Sequence, residues 1–106
     1  MNPVRPHYEE LTKEESTTAK TKWFYIYILK CVKTYTFYTG TTDNLERRLG
    51  QHNKGKVFYT KSRLPVKLIY FEACLNKDDA YRREGYLKTG MGKRYLKNRL
   101  RGGLTG

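Results

Sequence analysis

Two short tyrosine motifs, Tyr25-Ile26-Tyr27 and Tyr38-Thr39-Gly40, open the stretch of this chain where chemistry can be placed. A segment carrying Arg47, Arg48 and His52 follows at once, and a carboxylate, Glu84, sits later in a strongly basic run. A phenol and an imidazole can move a proton. An arginine can hold a phosphate oxygen and neutralise charge growing on it. One carboxylate among cations can take a divalent metal such as Mg²⁺, which uses few protein carboxylates and keeps several waters. Together these groups form a candidate site for cutting a phosphodiester.

Each residue also has a plainer explanation. With ten tyrosines in the chain, any one is weak evidence, and Tyr25, Tyr27 and Tyr38 could be ordinary amphipathic strand residues. Arg48 could pair with an acid beside a partly buried His52. Glu84 and Lys88 have the spacing of a surface helix pair. The specific feature is the combination of Tyr27, Tyr38, Arg48, His52 and Glu84, which the pattern places around one groove.

The elements that position these residues follow from local periodicity. Phe24–Cys31 is rich in aromatic and β-branched residues and reads as a strand, and Tyr35–Thr39 reads as a second strand after a turn near Lys33-Thr34. A hairpin centred there pairs Leu29 with Tyr38 and Tyr27 with Gly40. Alternation then puts Tyr25, Tyr27, Leu29 and Tyr38 on one face and Phe24, Ile26, Ile28 and Phe37 on the other. A first helix starts at Asp43, whose spacing to Glu46 is that of a capping box, and stops near Gly55. Its buried stripe is Leu45 and Leu49, with His52 on the edge, Arg48 beside it and Arg47 pointing away. A basic loop with aromatics fills 56–65, and a third strand covers Val66–Ala73. Asn76 caps a second helix, with Asp78 and Asp79 in its first turn. Ala80 and Leu87 mark its inward stripe, Glu84 falls between them, and Arg82 and Tyr86 point outward. Thr89-Gly90-Met91-Gly92 reads as a break, and a third helix spans about Lys93–Arg101. The order is β-β-α-β-α-α: an α+β fold with a small three-stranded antiparallel sheet flanked by helices.

Composition narrows the partners. Lys and Arg number 22 against 10 Asp and Glu, a net charge of +12. Residues 1–22 balance four basic groups against four glutamates, so the whole excess lies in 23–106. A small domain this basic attracts polyanions, and nucleic acid is the expected partner. No run reaches the roughly 18 apolar residues of a membrane span, and no apolar leader is visible at the N-terminus. Cys31 and Cys74 read as separate buried thiols in a reducing cytoplasm. A zinc site using His7, Cys31, His52 and Cys74 lacks a close ligand pair. Residues 1–22 are expected to form a flexible polar arm, 23–101 one domain and 102–106 a disordered tail.

In motif order the chain resembles the GIY-YIG endonucleases. That family includes the catalytic domain for the 3′ incision in bacterial excision repair, as well as small stand-alone bacterial proteins. The resemblance covers about Trp23–Arg101, and the stand-alone members are matched best by residues 38–55, 63–73 and 82–88. It implies that Tyr27 is the general base for water and that Tyr38 orients water or phosphate. It implies that Gly40 opens the turn into the helix, that Arg48 stabilises the transition state and that His52 lies near the nucleophile. Glu84 would be the metal ligand, for Mg²⁺ or Mn²⁺, and the reaction an in-line hydrolysis of DNA. A tyrosine with a pKa near 10 would need metal and cation to lower it.

Arg47, Lys54, Lys56, Lys61, Arg63, Arg83 and Lys88 would contact the DNA, and Asn98 is a candidate for the family's late asparagine. The first-motif glycine is Tyr25 here, the second-motif isoleucine is Thr39, and a lysine of the repair enzyme is Thr41. A structure-selective role in DNA repair or recombination fits a module this small, because phosphate contacts dominate and base readout is limited. The alternatives are a non-catalytic nucleic-acid-binding module of the same fold and a subunit whose protein partner supplies specificity.

Overall fold

The aromatic and β-branched run expected as a strand forms β1, Phe24–Cys31, and it is the middle strand of the sheet. The computed structural model describes residues 21–102; the arm as far as residue 20 and the tail from 103 lie outside the described residues. Strand β2 (Thr36–Thr42) and strand β3 (Val66–Cys74) flank β1, both antiparallel to it, in the order β2-β1-β3. The hairpin register pairs Tyr27 with Gly40 and Leu29 with Tyr38, as the turn position required. Strand β2 begins one residue later than its propensity suggests. Tyr35 is part of the turn, with φ of 56°, and its N–H donates to the Cys31 carbonyl.

Helices cover both faces of the sheet. Helix α1 is Leu45–Asn53 and α2 is the short Phe58–Lys61, inside the segment read as a loop. Helix α3 is Lys77–Leu87 and α4 is Gly90–Arg99. On one face Ile26 and Ile28 pack with Ala80, Leu87 and Leu96 from α3 and α4, which is the apolar core. On the other, Tyr27 and Leu29 are buried on the side of α1, where His52 is also fully buried.

Two helix starts differ from expectation. The cap of α1 is Asn44, whose side chain accepts from the Arg47 N–H at 3.0 Å. Asp43 instead pairs with Lys22 at 3.2 Å and Arg47 at 3.0 Å. Lys22 thus links the segment before β1 to the start of α1. The stretch expected as a break is the first turn of α4: Thr89 caps it by accepting from the Gly92 N–H at 3.1 Å. A Cβ on Gly92 would lie 2.0 Å from the Tyr86 carbonyl oxygen, so glycine here lets two helix ends touch rather than marking a gap. Asn76 caps α3 as expected, accepting from the Asp79 N–H at 3.0 Å. Gly55, at φ of 74°, closes the turn after α1 with its N–H on the His52 carbonyl.

Candidate active site

The site is built around the Tyr27 hydroxyl. Tyr27 lies on the central strand with only 1% of its surface exposed, so its hydroxyl needs protein partners. Helix α1 supplies them. The Arg48 Nε–H donates to the Tyr27 oxygen at 3.3 Å, and His52 Nε2 lies 2.9 Å from it. Because Arg48 can only donate, the phenolic proton points at His52. His52 then carries its own proton on Nδ1, 2.7 Å from Thr60 Oγ1, and the Thr60 hydroxyl turns to the Val57 carbonyl. The chain runs Arg48, Tyr27, His52, Thr60, with every group partnered. Tyr38 packs edge-on against the His52 ring, centroids 5.0 Å apart, and its other neighbour is Tyr59 at 5.5 Å. Gln51 accepts from Arg48 Nη1 at 2.8 Å and fixes the guanidinium.

Position 40 must be glycine for this to exist. A Cβ there would sit 2.5 Å from the Tyr27 hydroxyl oxygen and 2.9 Å from the Tyr38 ring. Pairing of Gly40 with Tyr27 across the ladder leaves the space that the hydroxyl occupies.

Burial sets the proton balance. It pushes the Tyr27 phenol up to about 12, although the Arg48 hydrogen bond pulls the other way. Burial, with the positive charge of Arg48, lowers His52 to about 4. At neutral pH the pair is therefore phenol and neutral imidazole. Without a metal, desolvation outweighs Arg48, so the cation alone does not bring Tyr27 below its usual range.

Glu84 comes from the opposite side. It lies on α3, and its Oε1 accepts from the Thr41 hydroxyl at 2.7 Å. Thr41 pairs with Ile26, whose side chain is in the core face, whereas Tyr27 points to the other face. The single groove expected for all five residues is thus corrected: four cluster on one face and Glu84 reaches the edge strand β2 from the other. The faces meet where β2 ends. A cleft of about 580 Å³ there is lined by both Thr41 and Arg48, with Arg47, Gln51, Lys77 and Tyr81.

The second Glu84 oxygen is 2.9 Å from Lys88 Nζ, and the Glu84 side chain is 18% exposed. Among the described residues no three His, Cys, Asp or Glu side chains form a metal cluster. A lone carboxylate beside a hydroxyl and close to solvent suits Mg²⁺ or Mn²⁺ held largely by water and phosphate; it does not suit zinc. Lys88, with 55% of its side chain exposed, can swing aside.

The expected nucleic-acid contacts divide. Lys54 and Lys56 are exposed, Lys61 lies over the Phe58 ring at 5.5 Å, and Arg63 stacks on Tyr59 at 4.1 Å. Arg47 lines the cleft beside Arg48. Arg83 differs from the expected contact: its Nε and Nη2 donate to Glu72 at 2.8 and 2.9 Å, so it braces α3 on β3. Asn98 is exposed on α4, and no hydrogen bond among the described residues ties it to the Tyr27 cluster. His52 is at the centre of its helix's buried face, while Leu45 and Leu49 are only half-buried. Thr60 and Gln51 were missed. Gln51 sits three residues after Arg48, a spacing that could have flagged it; Thr60 carries no such signal.

The chain is similar to known proteins along most of its length. Residues 23–100 match the GIY-YIG catalytic domain. The chain is 54% identical over 65 residues to a UPF0213 protein of Clostridium perfringens, covering 60% of this chain and 69% of the relative. It is 47% identical over 74 residues to a UPF0213 protein of Staphylococcus haemolyticus, covering 69% and 89%. Among solved structures, the solution NMR structure of the UPF0213 protein BH0048 from Bacillus halodurans is 35% identical. That match covers 72% of this chain and 83% of the other, with a TM-score of 0.46.

Proposed function

The chain belongs to the GIY-YIG family, and on that premise we propose that it is a metal-dependent endonuclease hydrolysing phosphodiester bonds of DNA. The observation that carries this reading is the Tyr27 hydroxyl held between a guanidinium and a neutral imidazole. In this scheme water attacks phosphorus in line with the 3′ oxygen. As it does, its proton moves to the Tyr27 oxygen while the Tyr27 proton moves to His52 Nε2. The gap between about 12 and about 4 keeps the proton on Tyr27 at rest, so the phenolate character develops only during attack. Arg48, donating to the same oxygen and bordering the cleft, stabilises the negative charge there and on the phosphate. Glu84 with Thr41 would hold Mg²⁺ or Mn²⁺, which supplies Lewis acidity toward the phosphate and the leaving oxygen. The free cysteines, Cys31 and Cys74, suit a reducing cytoplasm. A basic domain in which phosphate contacts dominate fits a role in repair or recombination on structured DNA, with a protein partner supplying further specificity.

A second reading has its own support. The Lys88 ion pair and the Thr41 hydrogen bond satisfy Glu84 without metal, as a binding module or a partner-dependent subunit would allow. Incubating the purified chain with labelled plasmid, single-stranded and branched DNA, in Mg²⁺, Mn²⁺ or EDTA, separates the two. Cutting that EDTA abolishes supports the nuclease; binding with no cutting on any substrate supports the second reading.

A further inference from the structure

The edge of β2 away from β1 is uncovered by any strand, and an open trough of about 860 Å³ runs over it. The trough draws on both faces of the sheet: Phe37 and Thr39 from the core face, Tyr38 and Tyr59 from the catalytic face. Its apolar floor is offered by the exposed rings of Phe37 and Tyr59 with the half-buried Ile69, while Ile28 and Leu96 behind them belong to the core. Its rim carries Lys88, Lys93, Arg94 and Lys97. Lys93, Arg94 and Lys97 are exposed and take part in none of the ion pairs among the described residues. Along β2, this trough ends at Thr39 and the catalytic cleft begins at Thr41. The two openings therefore bracket Gly40, above which the Tyr27 hydroxyl sits.

We propose that the trough is the path of a single DNA strand, lying along the β2 edge with its bases turned to the apolar floor and its phosphates on the α4 rim. This rests on the nuclease reading and names its substrate class: DNA unpaired on one side of the cut. Apolar floor and cationic rim are the two halves of single-strand recognition, one for base faces and one for phosphates. A space of this volume is that of a pocket for one drug-sized molecule, enough for a few nucleotides. The path also explains how catalytic groups from opposite faces act together. A strand crossing the β2 edge at Gly40 meets Lys88 and Glu84 from one side and Arg48 and Tyr27 from the other.

The test reads binding alone, in EDTA, so its failure is separate from a failure to cut. Fluorescein-labelled oligothymidine and a labelled duplex of equal length are titrated by anisotropy against wild type and the triple variant Lys93→Gln, Arg94→Gln, Lys97→Gln. All three side chains are exposed, so the fold is kept. The wild type is expected to bind the single strand about tenfold tighter than the duplex, the worth of one stacked base. The triple variant should lower the slope of log affinity against log salt by about 2, for three lost phosphate contacts on a single strand. Equal or tighter binding of the duplex, or an unchanged slope in the variant, overturns the proposal even if the protein cuts DNA. Single-strand binding lost in the variant upholds the path even if no substrate is cut.

Discussion

The two faces of this sheet hold their functional groups in opposite ways. On the α1 face, Tyr27 and His52 are almost without exposure, and each polar atom is fixed by another side chain. On the α3 face, Glu84 is partly open to solvent, held by one hydroxyl and by a lysine that is half-exposed. An exposed ion pair of this kind is worth about 0–1 kcal/mol. Breaking the buried chain leaves polar groups unpaired, at about 1–3 kcal/mol each. The first face is prearranged before any ligand arrives. The second can exchange Lys88 for a cation at little cost.

The sharpest way to break the comparison is Tyr27→Phe. It removes the proton carrier from the rigid face, and cleavage should fall by about 10²–10⁴, the usual worth of a general base. The same change strips a partner from buried His52, so a urea melt should show a loss of about 1–3 kcal/mol. Full activity with unchanged stability would mean that the buried chain is neither catalytic nor structural.

Mild acid probes the rigid face through His52. His52 titrates near 4 when folded, against 6.5 for the ordinary side chain. Between those values the unfolded chain binds more protons, so stability is present above pH 6.5 and declines as pH falls toward about 4. Up to about 3 kcal/mol should be lost across that window in unfolding measurements. His52→Gln should flatten this part of the profile.

The smallest effect belongs to the labile face. Lys88→Gln frees one Glu84 oxygen, and Mn²⁺ binding by calorimetry, in the absence of DNA, should tighten by up to about fivefold. No change would show that Lys88 does not compete for Glu84.

How much of this the residues revealed depended on how local each feature is. The β1–β2 register, the Asn76 cap and the Arg48–His52 pair follow from turn position or helical spacing, and the structure has them as read. Other features hinge on distant parts of the chain. Which face α3 covers decides the side from which Glu84 arrives, and no local pattern encodes that. Arg83 looked like a surface cation because Glu72, its partner, lies 11 residues away on another element. Helix α2 has four residues, too few for a helical period, yet it carries Thr60 to His52. Gly90 and Gly92 looked like a break because glycine disfavours helix interiors, whereas the close approach of Gly92 to Tyr86 demands glycine there.

The central claim is that two faces serve one phosphate across the β2 edge. Its most direct test is metal-dependent cleavage of labelled single-stranded and branched DNA by Arg48→Ala and Glu84→Ala beside the wild type, with folding checked by circular dichroism. The account predicts that both variants stay folded and both lose cutting, by about 10² or more. Cutting retained by folded Glu84→Ala would contradict it and confine the chemistry to the Tyr27 face or to another site.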